Sequence, residues 1–575
     1  MSPRALAAVA GLTGVWSTWV LEPAIAQTPG SGLPGSSFPV PIEPSRPLQP
    51  RPSQPSPLPL PPVQVVPRVP ATPQRALSMV VKQFRFTGNT VFSEAELAKR
   101  VARYLNRPVT FADLSEARDS VTQLYIDRGY TTSGAYIPMQ TSADGTVEIR
   151  VLEGRLGEVN VAMTGRPRAS YIQRRLRRAG RGVLNVPRLL EELRLLQANP
   201  QIETISADLS ASPEPGVSNL RVKAIGARSF RASASMDNGR NPQTGSVRRG
   251  VDLSQANLLG ITDELTLTYR NSDGSNDTLV GYQLPLNSRD LTLNASYRAL
   301  NSWIIEPPLN QLNITSAYRQ WFAGLRLPIV RRVEEEFALG VSINKQDNKG
   351  LFLDGLPFPS RGVDPNGESR VTTLSFNQDW THRSTKDVVA IRSEIGVGLK
   401  GLDTTTPYDY GVDPDSPDAS FVLWRTDAQY ARLLGPDINL LARARTQIAD
   451  NPLPSVEQFG LGGLGSVEGY QTNSLLTDNG VFASLEVALP ILRWRQQQGL
   501  VQVVPFAAIG YGWDEGQAPQ PVPSVLASVG LGLRMKLGDK MFGQVDYAQR
   551  LGRTPYLESD AWRDQAVLFS IRYSP

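Results

Sequence analysis

The larger, C-terminal part of the chain is dominated by apolar residues that alternate with polar or small ones. The pattern runs from about residue 229 to residue 575 and is clearest at residues 265–270, 291–298, 528–535 and 567–573. Each of these segments has one apolar face and one polar face. A segment of this kind, about ten residues long, is typical of a membrane-spanning β-strand. The alternation therefore restricts this region to an all-β fold.

Two all-β structures have this pattern, a soluble sandwich with one face in water and a barrel in a membrane. At about 22 residues for each strand with its connection, the region holds about 16 antiparallel strands. A closed barrel leaves no strand edge unpaired in lipid. We therefore predict a membrane all-β barrel of about 16 strands, whose polar faces line a lumen wide enough for an aqueous channel. A soluble sandwich is the alternative.

The N-terminal 78 residues predict an exported chain with a linker. Residues 1–26 have a basic start, a short apolar run at 5–16 and a cleavage site at Ala24–Ala26, which together indicate a secretory signal peptide. A membrane anchor or a buried first helix is the alternative. Residues 27–78 contain sixteen prolines, so we predict an extended linker, with a PxxP docking sequence as the alternative.

The composition excludes several classes of function. The chain has no cysteine, which excludes disulfides, cysteine-bound zinc, iron–sulfur clusters and thiol nucleophiles. Its one histidine, His382, leaves almost no material for a Ser–His–Asp hydrolase or a multi-histidine metal site, and we expect it at the surface. The net charge of +5 is too small to indicate nucleic-acid binding. We therefore predict no enzyme activity, no cofactor and no metal.

Residues 79–153 and residues 154–228 share one pattern of elements. Each segment predicts the order β-α-α-β-β, and Gly88 of the first corresponds to Gly165 of the second. Helix starts are marked by capping sequences, such as the Ser-x-x-Glu box that begins at Ser93. The sequence therefore predicts two copies of one small α+β domain in series.

These two domains, behind a signal peptide and a proline-rich linker, resemble the POTRA domains of outer-membrane protein transporters. The resemblance implies periplasmic domains that capture unfolded client chains, partly by adding a client strand to a sheet edge. Two structural spacers are the alternative. A run of arginines in the second domain is a possible client contact, and its members are Arg174, Arg175, Arg177 and Arg178. Such a run is also typical of a solvated helix face, and lipid headgroups are a further possible partner.

Several motifs of the barrel region resemble those of two-partner secretion transporters, which are also called the haemolysin secretion/activation family. Residues 257–265 and 269–276 are similar to the first barrel hairpins of that family, and residues 459–470 are similar to its lid loop. The lid-loop motif consists of Gly465, Ser466, Val467, Glu468, Gly469 and Tyr470. The lumen strand motif that the resemblance places opposite the lid consists of Phe506, Ala508 and Gly510.

The lid motif departs from the family pattern at two positions. The family normally has an arginine where this chain has Glu468, and an aspartate where it has Ala508. The two departures are coherent, because a single one would leave a buried charge without its partner. Two interpretations of Glu468 stay open: it pairs with a lumen arginine such as Arg534 or Arg572, or it faces water. We predict that Glu468→Arg combined with Ala508→Asp changes the conductance or gating of the pore.

The resemblance implies an outer-membrane pore that translocates a large secreted exoprotein. On this interpretation the periplasmic domains bind the unfolded client, the lid regulates the lumen, outer-membrane lipid surrounds the barrel and the chain is a monomer. An insertase for barrel proteins is the main competing function, although two α+β domains rather than a longer series favour secretion. A passive porin competes less well, because a diffusion pore needs no client-binding domains. A barrel enzyme and a soluble adhesin complete the range of functions.

Overall fold

The computed structural model describes residues 79–141, 144–358, 360, 362–406, 416–494, 499–516, 520–554 and 566–575. The predicted signal peptide and proline-rich linker lie outside the described residues. Within this part of the chain, no helix is long and apolar enough to cross a membrane.

The first α+β domain is a three-stranded sheet with two helices and a small two-stranded addition. Its elements are β1 (Met79–Val80), β2 (Gln83–Thr87), α1 (Glu94–Val101), β3 (Pro108–Val109), α2 (Phe111–Asp127), β4 (Gly134–Tyr136) and β5 (Thr146–Leu152). The sheet has the order β2–β5–β4, with β5 parallel to β2 and antiparallel to β4. β1 and β3 pair separately.

Both helices of this domain begin at capping residues, and the first of these is the predicted Ser93. Ser93 Oγ accepts a hydrogen bond from the Glu96 N–H at 3.4 Å, and Thr110 Oγ1 accepts one from the Asp113 N–H at 3.2 Å. The acidic side chains accept from the N–H groups of the capping residues in return. Each helix start therefore leaves fewer unpaired donors, which fixes where the helix begins.

The second α+β domain repeats this arrangement. Its elements are β6 (Arg155–Thr164), α3 (Ala169–Ala179), α4 (Val186–Gln197), β7 (Ile202–Ala211) and β8 (Val217–Gly226). Its sheet has the order β6–β8–β7, with β8 parallel to β6 and antiparallel to β7. Gly88 and Gly165 occupy equivalent turns with positive φ, of 81° and 101°. A Cβ on Gly88 would lie 2.3 Å from the carbonyl oxygen of Val151, so this turn requires glycine.

The rest of the chain forms a closed barrel of 16 antiparallel strands. The barrel strands are β9 (Phe230–Asp237), β10 (Arg248–Ala256), β11 (Glu264–Ser272), β12 (Ser275–Pro285), β13 (Thr292–Trp303), β14 (Thr315–Arg331), β15 (Glu335–Phe352), β17 (Glu368–Arg383), β18 (Asp387–Gly398), β19 (Val422–Gly435), β20 (Ile438–Ala449), β23 (Asn479–Trp494), β24 (Gly499–Trp513), β25 (Val525–Leu537), β26 (Met541–Arg550) and β27 (Val567–Tyr573). Shorter strands in the connections are β16 (Leu356–Pro357), β21 (Phe459–Leu461) and β22 (Leu475–Thr477).

The two ends of the barrel differ in their connections. At the end that carries the second α+β domain, which we call the near end, the connections are short, as at residues 286–291 between β12 and β13. At the opposite, far end many connections are longer, as at residues 450–478 between β20 and β23.

The alternation in the sequence separates an apolar outer surface from a polar lumen. Leu265, Leu267 and Tyr269 of β11 are exposed on the outside. Thr268, between them in sequence, points inward, where its Oγ1 donates to Asp252 at 2.7 Å. The predicted membrane barrel is confirmed, and the alternative of a soluble sandwich is wrong, because the sheet closes on itself.

The barrel closes where the last strand pairs with the first. The ladder between β27 and β9 covers four residue pairs, from Asp237 with Ser570 to Ala234 with Tyr573. Asn238, the next residue after β9, continues the contact through its side chain. Its Nδ2 donates to the carbonyl oxygen of Val567 at 2.8 Å, and its Oδ1 accepts from the N–H of Phe569 at 2.7 Å. The seam therefore combines a short ladder with one side-chain bridge.

Candidate functional site

The far-end connection between β20 and β23, residues 450–478, folds back into the barrel, and we call it the lid. Within the lid, β21 and β22 pair as a short antiparallel hairpin. The predicted lid motif, residues 465–470, forms the tip beyond this hairpin, and every residue of the motif after the first is buried. The lid therefore occupies the lumen that the inward-facing side chains of the strands enclose.

Apolar contacts hold the hairpin against the inner wall of the barrel. One buried cluster joins lid and wall, and its members are Phe459, Leu461, Val467, Tyr470, Leu475, Phe482, Ala508 and Leu526. A Cβ on Gly510 would lie 2.6 Å from a methyl carbon of Leu461 and 3.2 Å from Cγ2 of Val467. The absence of a side chain at Gly510 thus lets the lid approach the strand closely. The structure brings Ala508 and Gly510 together with the lid, whereas the ring of Phe506 packs against β25.

The tip reaches the strands near the seam. Gly469 has a φ of 93°, and a Cβ there would lie 2.9 Å from the carbonyl oxygen of Ala548 on β26. The hydroxyl of Tyr470 donates to the carbonyl oxygen of Ala527 on β25 at 3.3 Å. Thr472 Oγ1 donates to the carbonyl oxygen of Gly239, in the connection after β9, at 2.8 Å. The tip is therefore positioned by backbone approach and neutral hydrogen bonds.

Glu468, at the centre of the tip, lies among other carboxylates. The Gly465 N–H donates to its Oε1 at 3.4 Å. Burial, and then the charges of Asp546 and Glu486, raise the pKa of the Glu468 carboxyl to about 8, while this N–H and the Arg443 guanidinium act in the opposite direction. Near neutral pH the protonated form is therefore favoured while the lid is in place.

The interpretation that Glu468 pairs with Arg534 is wrong. Arg534 binds Glu486 of β23, whose other oxygen accepts from Arg443 Nη2 at 2.9 Å. Glu468 makes no ion pair with any residue that the structure describes, Arg572 included. Its side chain does not face water either, because the residue is 9% exposed. The alternation of apolar and polar residues correctly predicts that Arg534 faces the lumen, but it does not predict that its partner is Glu486.

We expect the lid to loosen as the pH rises from about 4.5 to about 8. The raised pKa of Glu468 means that the docked lid binds a proton more tightly than a released, hydrated lid does. Docking is therefore favoured most below the ordinary pKa, weakens through this window and is constant above it. Channel recordings across the window measure the open fraction. The Glu468→Gln variant should weaken this dependence, because the neighbouring Asp546 carboxyl then remains to titrate, and an unchanged profile in that variant would contradict the assignment.

A buried ionic cluster joins the second α+β domain to the near end of the barrel. Arg175 of α3 is 1% exposed, and its Nε donates to Glu192 Oε1 at 2.6 Å. Its Nη1 donates to the Tyr171 hydroxyl at 3.0 Å and to Asp290 in the β12–β13 connection. Arg331, at the end of β14, binds the same Asp290. We call these five residues the junction cluster.

Arg175 is therefore not a client contact, which corrects the prediction for the arginine run. The helical period places it on the buried face of α3 beside Leu176. Arg178 is half-buried and donates to Glu192 Oε2 at 2.9 Å. Arg174 and Arg177 are exposed, and their role as client contacts stays a prediction.

Two further contacts fix the second domain to neighbouring near-end connections. The Arg168 N–H, just before α3, donates to the carbonyl oxygen of Gly260 at 2.8 Å, between β10 and β11. The Glu191 carboxylate of α4 accepts from the Val333 N–H at 2.7 Å, between β14 and β15. Together with Asp290, three consecutive near-end connections hold the domain, so it is fixed against the rim of the barrel.

His382 lies near the end of β17 and is exposed, with its ring stacked on Trp380 at 6.2 Å between ring centres. Such a position is typical of the aromatic band at a membrane surface. In the described part of the chain, no group of three or more His, Asp or Glu side chains is suited to hold a metal ion.

Comparison with known proteins agrees with this architecture. A model of the family described as haemolysin secretion/activation protein ShlB/FhaC/HecB matches residues 216–535. The chain belongs to the haemolysin secretion/activation protein family. A second model, described as POTRA domain, ShlB-type, matches residues 79–154. The resemblance inferred from the motifs is thereby confirmed.

Members of this family are two-partner secretion transporters, and this chain is an outer-membrane pore of that kind. Its barrel lies in the outer membrane and its α+β domains lie in the periplasm. The near end of the barrel is therefore the periplasmic end, and the lid enters from the cell-surface end.

Individual relatives are distant in sequence. The chain is 21% identical over 411 residues to the outer membrane transporter CdiB of Dickeya dadantii, covering 70% of this chain and 71% of the relative. It is 24% identical over 402 residues to the heme/hemopexin transporter protein HuxB of Haemophilus influenzae, covering 67% of each. The solved structure of CdiB from Escherichia coli superposes with a TM-score of 0.68 at 21% identity, over 89% of this chain and 93% of that one.

Proposed function

We propose that the two α+β domains bind one unfolded exoprotein in the periplasm and deliver it to the lidded lumen. The observation that supports this most strongly is the junction cluster, which holds the second domain at the periplasmic rim. A client bound there is already at the entrance of the pore, so its local concentration is high. The match to a family of transporters supports a transport role, and no chemical reaction by this chain is required.

The second domain offers a surface that fits an unfolded chain. Among the described residues β7 pairs with β8 alone, so its other edge has main-chain groups open to a client strand. Beside this edge, α4 and the sheet form an apolar groove lined by Val186, Leu189, Leu190, Leu193, Ala207, Leu209 and Leu220. Main-chain bonding accepts any sequence, and the groove adds a preference for apolar side chains.

The structure also supports an assignment of domain roles, of the lipid contact and of the oligomeric state. We infer that residues 79–153 and 154–228 act as separate client-binding domains and that residues 229–575 form the membrane domain. The apolar outer surface fits outer-membrane lipid. One chain closes its own barrel, which supports a monomer.

The test of this function is secretion of a large exoprotein encoded beside this gene, in a host that lacks both proteins. We expect the exoprotein in the medium when the transporter is present and not when residues 79–225 are deleted. Retention of the exoprotein in the periplasm, together with failed assembly of other barrel proteins in the absence of this chain, would instead support the insertase function.

Leu190→Glu is expected to reduce exoprotein secretion about tenfold, because it puts a charge into the apolar groove. Leucine and glutamate have similar helix propensities, so α4 itself should persist. The matched control is Leu195→Glu on the same helix, since Leu195 is also half-buried but does not line the groove. Exoprotein in the medium is measured at equal levels of folded barrel. Equal secretion by the two variants would argue against the groove as the client site.

A further inference from the structure

A buried ion pair just before the lid hairpin links the lid to the barrel wall. Glu457, just before the lid hairpin, is 0% exposed. One of its carboxylate oxygens accepts from Arg425 Nη2 on β19 at 2.6 Å. The other accepts from Gln346 Nε2 on β15 at 2.6 Å and from Thr373 Oγ1 on β17 at 2.9 Å. Three different strands therefore donate to one lid carboxylate.

The same network binds the main chain at both ends of the lid hairpin. Arg425 Nη2 also donates to the carbonyl oxygen of Glu457 at 2.8 Å, and its Nε donates to Gln447 Oε1 at 2.7 Å. Gln447 Nε2 in turn donates to the carbonyl oxygens of Glu457 and Asp478, both at 2.9 Å. Residues before and after the hairpin are thus tied to each other and to the wall.

Among the residues that the structure describes, the tip of the lid has no comparable charged contact. Glu468 makes no ion pair in the part of the chain that the structure describes, and the nearby Glu486 is already bound by Arg443 and Arg534. The favourable ionic contact of the lid is therefore the one at Glu457, just before the hairpin. The tip is held by packing and neutral hydrogen bonds.

We propose that the Arg425–Glu457 pair is the anchor that keeps the lid inside the pore of this chain. Both partners are buried and hydrogen-bonded, so removing one charge takes away the nearest compensation of the other in a low-dielectric site, although the Glu394 carboxylate still acts on Arg425. A lid that leaves the lumen can hydrate Glu457, and the loss of Arg425 therefore favours the released state. Glu457 and Arg425 are positioning residues: they hold the lid in the lumen and thereby control whether the pore is open. This inference rests on the proposed function as a lidded pore.

The test uses the full-length protein in planar bilayers and in cells, without any exoprotein. Glu457→Gln is expected to raise the open fraction of the channel at least about tenfold. Because the chain has no cysteine, Ser474→Cys in the buried lid is a background-free reporter. Its labelling by an external maleimide should accelerate by at least about the same factor when Glu457→Gln is added.

The matched control is Asp379→Asn, a carboxylate on the inner wall that contacts two arginines and not the lid. Asp379 accepts from Arg326 Nε at 2.8 Å and from Arg392 Nε at 2.9 Å, in the periplasmic half of β17. We expect it to leave both readouts near those of the parent. A similar rise in the control, or parental values in a folded Glu457→Gln variant, would overturn the anchor.

A charge swap covers the case in which Glu457→Gln does not fold. Arg425→Glu combined with Glu457→Arg keeps an ion pair but loses the bonds of Arg425 to the Glu457 carbonyl oxygen and to Gln447, so we expect a lower open fraction and slower labelling than in Arg425→Glu alone, and a folded swap as open as that single variant would refute the proposal. If the swap does not fold either, Arg425→Lys keeps the charge but loses the Nε donor that binds Gln447, and we expect an intermediate open fraction. Parental values in that variant would also refute the anchor. These measurements use no exoprotein, so they test the anchor alone. Failure of the proposed secretion function would be detected separately, in the secretion assay.

Discussion

Replacing Arg175 with methionine is expected to lower secretion of the exoprotein at least about tenfold, because breaking a buried ion pair costs about 3–5 kcal/mol. In Arg175→Met, the carboxylates of Glu192 and Asp290 remain buried, and Asp290 keeps only the partly exposed Arg331 among the described residues. Methionine keeps the apolar part of the Arg175 side chain, so a change in secretion is due to the loss of the guanidinium charge and its hydrogen bonds. The second domain should separate from the rim and hold its client away from the entrance. Exoprotein in the medium is measured at equal barrel levels.

Exposed neighbours on the same helix supply the control for this variant. Arg174→Met and Arg177→Met also remove one positive charge each from α3 but leave the junction cluster intact. Limited proteolysis gives an independent readout, since separation of the domain should expose residues 226–230 to cleavage in Arg175→Met alone. Normal secretion and protection in Arg175→Met would show that the junction cluster does not hold the domain. A loss in the controls would instead restore the exposed arginines as client contacts.

Glu468→Arg is expected to lower the open fraction of the channel about tenfold at a pH above about 8, where the parent carboxyl is charged, since it turns repulsion at the lid tip into attraction. An arginine there would face the carboxylates of Asp546 and Glu486, which raise the pKa of Glu468, although Arg443 and Arg534 already bind Glu486 and offset part of this attraction. Glu468→Arg alone should therefore be enough to change the gating of the pore. Adding Ala508→Asp should contribute less, because Ala508 lies in the apolar cluster beneath the lid and a charge there would disturb the packing.

Single-channel records of the parent, Glu468→Gln and Glu468→Arg measure this series. Glutamine removes the charge without reversing it, so the open fraction should fall in the order parent, glutamine, arginine at a pH above about 8. Identical records for all three proteins would contradict the electrostatic account of the tip. The same series at low pH should bring the parent close to Glu468→Gln, because the parent is then protonated.

The sequence is sufficient for the parts of the fold that depend on local period. Alternation assigns Leu265 and Leu267 to the outer face, and it assigns Ala508 and Gly510 to the inner face, where the lid lies. Capping boxes locate the starts of α1 and α2. These features depend on neighbours a few residues away in sequence, and a pattern reports such neighbours directly.

The functional contacts depend on partners that are distant in sequence. Arg175 stands in a charged run that is typical of a solvated face, although the period of α3 places it with the apolar residues. Its partner Asp290 lies 115 residues further along the chain. Arg425 could be assigned to the lumen, since the preceding Trp424 faces outward, but nothing local points to Glu457. Pairing of this kind is set by strand register around the closed barrel.

The seam between β27 and β9 also has a consequence for the order of assembly. Asn238 bonds a residue 331 positions away, so the first strand of the barrel stays unsatisfied until the last has been synthesised and exported. Long-range closure of this kind is slow, and during that interval two strand edges remain open to other chains. A translation product that ends before residue 567 lacks the strand that covers both edges. In the periplasm it would be an aggregation-prone intermediate and a target for chaperones and proteases.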